Sequence, residues 1–129
     1  MCRYLWIIAY LVVIASCSST NEQLHYSYQL ETGPHLVPVT LNFEPDSGYY
    51  WGTYFNKYYG TYSLGKRKGY QTITFGPVNT TAISRPGRLL KYERAYYDTL
   101  YGVHYLTLTK EKLILQNSRN HILTFKTVD

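Results

Sequence analysis

The sequence predicts an α+β domain: a curved antiparallel β-sheet or partly open barrel of about seven to eight strands, with one helix at about residues 87–101. Three observations support this fold. The chain has 16 tyrosines but only 4 phenylalanines, and tyrosine suits the half-buried surface of a pleated sheet. Short runs of alternating apolar and polar residues are separated by turn-forming residues. Between residues 85 and 101 this alternation gives way to the three- and four-residue steps of a helix face.

The predicted strands are bounded by residues that favour turns. In the segment Glu44-Pro45-Asp46-Ser47-Gly48, proline presets one backbone dihedral and glycine supplies a positive φ. Lysines and an arginine between Gly65 and Gly69 indicate another turn. The predicted strands are residues 24–30, 36–43, 49–55, 58–64, 70–75, 103–109, 112–116 and 121–128.

The predicted helix follows the fifth strand and precedes the sixth. Pro86 is acceptable in its first turn and Gly102 at its end. The order of strands, helix and strands predicts that the helix covers an end or a face of the sheet. The apolar residues at helical spacing are Leu89, Tyr92, Tyr96 and Leu100.

The first 16 residues have the order of a secretory signal peptide, with Arg3, an apolar stretch and then small residues. About a dozen apolar residues are too few for a transmembrane helix, which needs ~20. The segment Ile14-Ala15-Ser16-Cys17 resembles a bacterial lipobox. That resemblance implies cleavage before Cys17, lipidation of Cys17, and a tether over residues 17–23. The alternative is an ordinary signal peptide with a coincidental cysteine.

These features predict a membrane protein anchored by lipid, at the outer membrane of a diderm host because Ser18 follows Cys17. The predicted domain comprises residues 24–129. Since Cys2 would be removed with the signal peptide, no thiol would remain for a disulfide, a metal site or a nucleophile.

The sequence contains no pattern typical of a catalytic centre or a cofactor site. Its four histidines lack the short spacing of metal ligands. Glu93 and Asp98 are five residues apart, nearly opposite each other on the predicted helix, which makes them poor partners for acid–base catalysis. We therefore predict no enzyme activity, no cofactor and no metal.

The chain carries a formal charge of +5, and Arg88, Lys91 and Arg94 would share one helix face. Such a stripe can bind an anionic envelope surface, or it can simply be the solvated face opposite the core. No nucleic-acid partner is predicted, because an exported protein rarely meets one.

Aromatic residues crowd the third and fourth predicted strands. Alternation places Tyr50 and Tyr54 on one face and Tyr49, Trp51 and Phe55 on the other. One set must pack in the core, and the other could stack on sugar rings, hold a protein, or stabilise cross-strand pairs. The candidate ligand-binding residues are Tyr50, Tyr54, Arg88 and Lys91.

The order of several short motifs resembles the META domain family of small bacterial proteins, which includes the heat-inducible lipoprotein HslJ. The likeness covers roughly residues 36–126. It departs from many members at Tyr54-Phe55-Asn56, where they carry Gly-Cys-Asn, and near Arg85, where they carry a second cysteine. The matching residues are Leu41-Asn42-Phe43; Gly52, Asn56, Gly60 and Tyr62; Phe75-Gly76-Pro77 and Thr81; Glu93, Tyr96, Leu100, Val103 and Tyr105; and Leu113, Leu115, Leu123 and Phe125.

The resemblance implies an envelope protein associated with stress responses and no shared catalytic activity. Read without the family, Gly52 and Gly60 suggest bulges or bends, and Asn56 suggests a turn with positive φ or a side-chain-to-backbone bond. Two functional hypotheses follow. The first is a non-catalytic envelope lipoprotein that acts through protein contacts in stress tolerance. The second is a glycan- or peptidoglycan-binding module that uses exposed tyrosine and tryptophan residues.

Overall fold

The computed structural model describes residues 24–33, 35, 37–81 and 87–128. The predicted signal peptide and the whole predicted tether, including Cys17, lie outside these residues, as does Leu36 at the start of the predicted second strand. The described elements are β1 (Ser27–Leu30), β2 (Thr40–Glu44), β3 (Tyr49–Thr53), β4 (Lys57–Arg67), β5 (Tyr70–Phe75), β6 (Asn79–Thr80), α1 (Gly87–Leu100), β7 (Gly102–Leu108), β8 (Lys112–Asn117) and β9 (Ile122–Thr127).

Eight of the described strands form a closed antiparallel barrel in the order β3-β2-β1-β9-β8-β7-β5-β4, with β4 returning to β3. The predicted α+β architecture is confirmed, including the helix, which begins at Gly87 and ends at Leu100. The barrel is closed rather than partly open, because β3 and β4, which lie at the two ends of this strand order, pair with each other. Strand β1 pairs with β9 within the same circuit. The two-residue strand β6 adds to β4 outside this circuit.

Because neighbouring strands are antiparallel, each turn can be assigned to one of two ends of the barrel. The hairpin end carries the β2–β3, β4–β5 and β7–β8 turns and the start of β1. The helix end carries the β1–β2, β3–β4 and β8–β9 connections and helix α1, whose Glu93 contacts Asn56 in the β3–β4 connection.

The core fills the barrel interior with alternate residues from each strand and with one face of α1. Leu100 of the helix is fully buried, as the predicted apolar stripe requires. Edge-to-face contacts between aromatic rings continue the packing, including Phe75 against Tyr50 at 5.2 Å and against His104 at 5.7 Å. The largest fully buried side chains are Tyr28, Tyr50, Tyr58, Phe43, Phe75, Phe125, Leu41, Ile73, Leu100, Leu113, Leu115 and His104.

Two glycines in β3 and β4 let aromatic side chains cross the barrel interior. A Cβ on residue 52 would lie 2.0 Å from the Thr40 carbonyl oxygen and 2.7 Å from the Tyr58 ring. A Cβ on residue 60 would lie 2.7 Å from the Tyr50 hydroxyl. Neither glycine forms a bulge in the β3–β4 ladder, whose register passes through both without an inserted residue. The glycines are required for close approach.

The β4–β5 hairpin is longer than predicted. Lys66 and Arg67 belong to β4 and pair with Gln71 and Tyr70 of β5. The turn itself consists of Lys68 at φ 53° and Gly69 at φ 84°. Two successive residues with positive φ match the right-handed twist of the flanking strands, so the five-residue turn predicted here shortens to two.

Candidate functional site

The aromatic residues of β3 and β4 divide between the two faces of the barrel wall. Tyr50 is fully buried, and Tyr54 exposes only 7% of its surface at the helix end. These two suggested ligand-binding residues therefore belong to the core, because their strand positions share the inward face with Gly52 and Tyr58. Tyr49 and Tyr59 point outward.

The outward aromatic residues form one contiguous surface, which we call the aromatic patch: Tyr49, Trp51 and Tyr59, bordered by Glu44 and Lys57. Trp51 and Tyr59 face each other across the β3–β4 ladder. The Tyr49 and Tyr59 rings stack with centroids 6.4 Å apart and an interplanar angle of 27°. Both rings remain exposed, at 38% and 37%. Together the five residues line a shallow depression of about 390 Å³.

Charged groups hold Trp51 in place at the border of the aromatic patch. The indole Nε1–H donates a hydrogen bond of 3.0 Å to the Glu44 carboxylate. The Lys57 ammonium lies 5.3 Å from the centre of the indole ring, within the range of a cation–π interaction. The patch thus combines apolar ring faces with one acceptor group and one donor group, all on rigid strands.

The basic helix face does not join the aromatic patch. Lys91 and Arg94 are exposed on α1, and none of the described helix residues lines the patch. Arg88 belongs to the first turn of α1, but its side chain lies outside what the structure describes. Tyr50 and Tyr54 lie in the core and Lys91 is exposed on α1, so the structure does not bring these three suggested ligand-binding residues together.

A buried polar cluster, separate from the aromatic patch, lies at the helix end of the barrel and surrounds the carboxylate of Glu93. Glu93 exposes only 3% of its surface. It accepts hydrogen bonds of 2.7 Å from both the backbone N–H and the side-chain Nδ2 of Asn56. It also accepts one of 2.9 Å from the Tyr97 hydroxyl. Three donors satisfy this carboxylate, while the Asn56 Oδ1 has no partner among the described atoms.

This cluster corrects the interpretation of Asn56 and separates the two acidic residues of the helix. Asn56 is not among the residues with positive φ. Its side chain bonds to another side chain, 37 residues away, rather than to nearby backbone. Glu93 is buried whereas Asp98 is exposed, so the structure does not bring these two carboxylates together.

Tyrosine hydroxyls extend the buried cluster across the barrel. The Tyr58 hydroxyl donates to the Thr40 carbonyl at 2.6 Å, so the Tyr96 hydroxyl is the donor in the 2.5 Å bond between the two tyrosines. Burial raises the pKa of Tyr58, Tyr96 and Tyr97, and the neighbouring Glu93 carboxylate raises that of Tyr97 further. These hydroxyls therefore stay protonated and act as hydrogen-bond donors, and the bond from Tyr96 to Tyr58 attaches α1 to the barrel.

Of the four histidines, His104 is buried in the core beneath the helix. Its Nε2 lies 2.7 Å from the Leu100 carbonyl oxygen and acts as the donor, since a carbonyl only accepts. Burial lowers the pKa of His104. Among residues 24–33, 35, 37–81 and 87–128 there is no group of three metal-ligating side chains. Within those same ranges, no helix has the length and apolar character needed to cross a membrane.

The structure thus defines a class of small antiparallel β-barrels with one helix across an end, attached through a buried carboxylate. The chain belongs to the META domain family, which it matches over residues 22–129. The predicted resemblance is confirmed. Of the family landmarks, Asn56, Glu93 and Tyr96 lie at the junction of barrel and helix. Gly52 and Gly60 lie on the inner face of β3 and β4.

Two solved structures share this fold. One is an NMR structure of a protein from Burkholderia xenovorans, 20% identical, with a TM-score of 0.61 over 81% of this chain and 83% of that chain. The other is an NMR structure with 19% identity and a TM-score of 0.58, covering 86% of this chain and 95% of that chain. No curated protein matches the sequence. At these identities the likeness establishes the fold alone.

Proposed function

We propose that this META-domain protein is a non-catalytic glycan-binding lipoprotein of the bacterial envelope, with the aromatic patch as its binding site. The observation that carries the proposal is the contiguous outward arrangement of Tyr49, Trp51 and Tyr59. The hypothesis of glycan binding requires a contiguous exposed platform, whereas scattered exposed aromatics would favour a purely protein-contacting role.

The chemistry of the aromatic patch suits a sugar ring. A pyranose presents an apolar face of C–H groups and an equator of hydroxyls, so it needs aromatic faces with polar groups at their edges. Tyr49 and Tyr59 supply the ring faces, and the Glu44 carboxylate and Lys57 ammonium lie beside them as acceptor and donor. Rigid aromatic side chains lose little conformational entropy on binding, which favours recognition by tyrosine and tryptophan.

The proposal assigns binding rather than catalysis to the domain. The buried carboxylate of Glu93 is engaged by three donors from Asn56 and Tyr97, and His104 is packed beneath the helix. Neither group lines the aromatic patch. In this proposal the polar cluster stabilises the fold, and the patch meets the ligand.

The envelope location is proposed from the segment that ends at Cys17. Two acyl chains hold a protein at a membrane far longer than one chain does. A Cys17→Ser variant should lose metabolic labelling with palmitate and leave the membrane fraction or remain unprocessed. Equal membrane association of the variant and the unsubstituted protein would contradict the lipid anchor without affecting the assignment of the glycan site.

Glycan binding is best tested with the membrane-extracted protein and isolated peptidoglycan sacculi, using co-sedimentation at several salt concentrations. Trp51→Ala and Tyr59→Ala should each weaken binding by about tenfold or more, since central aromatic contacts dominate most binding sites. Tyr101→Ala provides the control, because Tyr101 is also an exposed aromatic residue but lies at the helix end.

The outcomes discriminate between the two functional hypotheses. Loss of sacculus binding in the patch variants but not in Tyr101→Ala would support the glycan site. Equal binding by all four proteins, or none by the unsubstituted protein, would contradict it for this glycan. Capture of an envelope protein that depends on Trp51 would instead assign the patch to a protein partner.

A further inference from the structure

The tip of the β4–β5 hairpin combines positive charge with exposed apolar side chains. Lys66, Arg67 and Lys68 are consecutive and exposed. Beside them, Leu64 exposes 60% of its surface and Tyr70 exposes 68%. Among the described residues there is one ion pair, between Lys112 and Glu31. The three basic side chains of the tip therefore have no acidic partner within the described parts of the chain.

This tip lies beyond the points where β4 and β5 pair with their other neighbouring strands. On one side, the pairing of β4 with β3 ends at Thr61 opposite Tyr49. On the other, the pairing of β5 with β7 ends at Thr72 opposite Tyr105. Residues 66–71 therefore pair only with one another. That ladder and the two-residue turn hold the tip together, and Tyr70 contacts Tyr105 of β7 edge to face, with ring centroids 6.0 Å apart.

The tip of the β4–β5 hairpin lies at the same end of the barrel as the start of β1. Strand β4 runs toward the hairpin end, and β1 starts at the same end, because strand directions alternate around the closed circuit. Residues 17–23 therefore lead into the domain from the end that carries the basic tip. Helix α1 and the exposed Tyr101 lie at the other end.

We infer that the hairpin end faces the membrane and that the β4–β5 tip binds the headgroups of anionic phospholipids. This inference rests on the lipid attachment at Cys17 proposed above. Lysine and arginine would contact lipid phosphates, while Leu64 and Tyr70 would enter the boundary between headgroups and acyl chains, where tyrosine is favoured.

The reach of the chain and the balance of charge both support this orientation. Cys17 is seven residues before Leu24, so the domain entry can be at most about 25 Å from the lipid. Glu44, Asp46 and Glu111 also lie at the hairpin end, in or beside the β2–β3 and β7–β8 connections, away from the three consecutive basic residues of the tip. With the hairpin end toward an anionic surface, the three positive charges of the tip would lie within its Debye layer, ~8 Å deep at physiological salt.

The test uses the full chain purified from membranes in detergent and reconstituted on vesicles that contain brominated phosphatidylglycerol. Cleavage before Cys17 removes Trp6, so in a Trp51→Phe background a Tyr70→Trp variant reports on the tip alone. A Tyr101→Trp variant provides the matched control, because both tyrosines are exposed but lie at opposite ends. Fluorescence of the Tyr70→Trp variant should be quenched several times more strongly than that of the Tyr101→Trp variant.

Charge removal then tests the role of the basic residues. A triple variant carries Lys66→Gln, Arg67→Gln and Lys68→Asn in the Tyr70→Trp protein. It should lose most of the quenching, because each basic residue contributes about fivefold to association with an anionic surface. Asparagine is chosen at position 68 because it tolerates positive φ. The matched triple variant Lys91→Gln, Arg94→Gln and Arg119→Gln, at the helix end, should leave the quenching unchanged.

Flotation of the vesicles separates this inference from the proposed anchor. If the protein floats with the vesicles and the two tryptophan variants are quenched equally, or neither is quenched, the orientation is wrong and the anchor stands. If the protein fails to float even with phosphatidylglycerol, both the anchor and the headgroup contact are wrong. Quenching of the Tyr70→Trp variant that survives loss of all three charges would overturn the headgroup contact.

Discussion

The two faces of β3 and β4 carry similar residues and have opposite roles. On the inner face, tyrosine hydroxyls and the Asn56 amide donate to fixed acceptors, and two glycines make room for the rings. On the outer face, Tyr49 and Tyr59 are exposed and Trp51 between them is half-buried. The comparison shows that an abundance of tyrosine has no single meaning, because strand parity decides whether a ring stabilises the fold or is available to a ligand.

The same comparison explains why membership of the family says little about function. The landmarks that carry the family resemblance are concentrated on the inner face and at the helix junction, where Gly52, Asn56 and Glu93 hold the barrel and α1 together. The aromatic patch uses residues outside those landmarks. The family pattern therefore describes a scaffold, and binding properties can differ among members through the outer positions.

The largest effect is expected from removing the buried carboxylate. Glu93→Ala would leave two donors of Asn56 and the Tyr97 hydroxyl unsatisfied in the core, and each unsatisfied buried donor costs ~1–3 kcal/mol. We expect a loss of about 3–5 kcal/mol in the free energy of unfolding, measured by urea denaturation and followed by circular dichroism. Asp98→Ala, on the exposed side of the same helix, should change it by less than about 0.5 kcal/mol. Similar effects of the two variants would show that Glu93 does not attach the helix to the barrel.

The next largest effect concerns the close approach that glycine permits. Gly52→Ala would place a Cβ against the Thr40 carbonyl oxygen, which is backbone and cannot rotate away. Overpacking of this kind costs ~1–3 kcal/mol or more, and thermal unfolding should reveal it as a lower melting temperature. Gly87→Ala is the matched control, because a Cβ there meets nothing within 4 Å. An unchanged melting temperature for Gly52→Ala would contradict the packing of Tyr58 described above.

Sequence reasoning predicted the local elements well, because hydrophobic periodicity and turn chemistry are local signals. The helix and the family were both predicted, and the helix bounds differ from the structure by one residue. Closure of the barrel was not predicted, since the β1–β9 pair joins segments almost 100 residues apart in the chain. The Asn56–Glu93 contact was missed for the same reason, although both residues were among the family landmarks.

The candidate site shows a second limit of sequence reasoning. Alternation separated Tyr50 and Tyr54 from Tyr49 and Trp51 correctly, but it did not show which set faced inward. One signal was available. Gly52 has the same parity as Tyr50, and a glycine within an aromatic strand marks the face on which large rings need space. That rule would have placed the candidate ligand-binding residues on the outer face.

A smaller effect is expected from pH acting on His104. Burial lowers its folded pKa below the usual 6.5, so the unfolded chain binds a proton that the folded chain excludes. The stability is therefore complete above about pH 6.5 and falls as the pH decreases toward the folded pKa, with a slope of at most ~1.4 kcal/mol per pH unit. Urea unfolding between pH 7 and pH 5 measures this slope. His104→Gln, which keeps a donor for the Leu100 carbonyl, should reduce it. An identical slope in the variant would assign the acid sensitivity to other groups.

The smallest effect separates ligand binding from cross-strand pairing on the outer face. Tyr49 and Tyr59 stack diagonally across the β3–β4 ladder, and such pairs contribute roughly 0.2–1 kcal/mol. A double-mutant cycle of Tyr49→Ala and Tyr59→Ala, measured by urea denaturation without ligand, should give a coupling energy in this range. Each single variant should destabilise the fold far less than Glu93→Ala does. If the coupling energy instead exceeds about 2 kcal/mol, the two rings are part of the structural framework. The aromatic patch would then be retained for stability, and the glycan site would lose its main support.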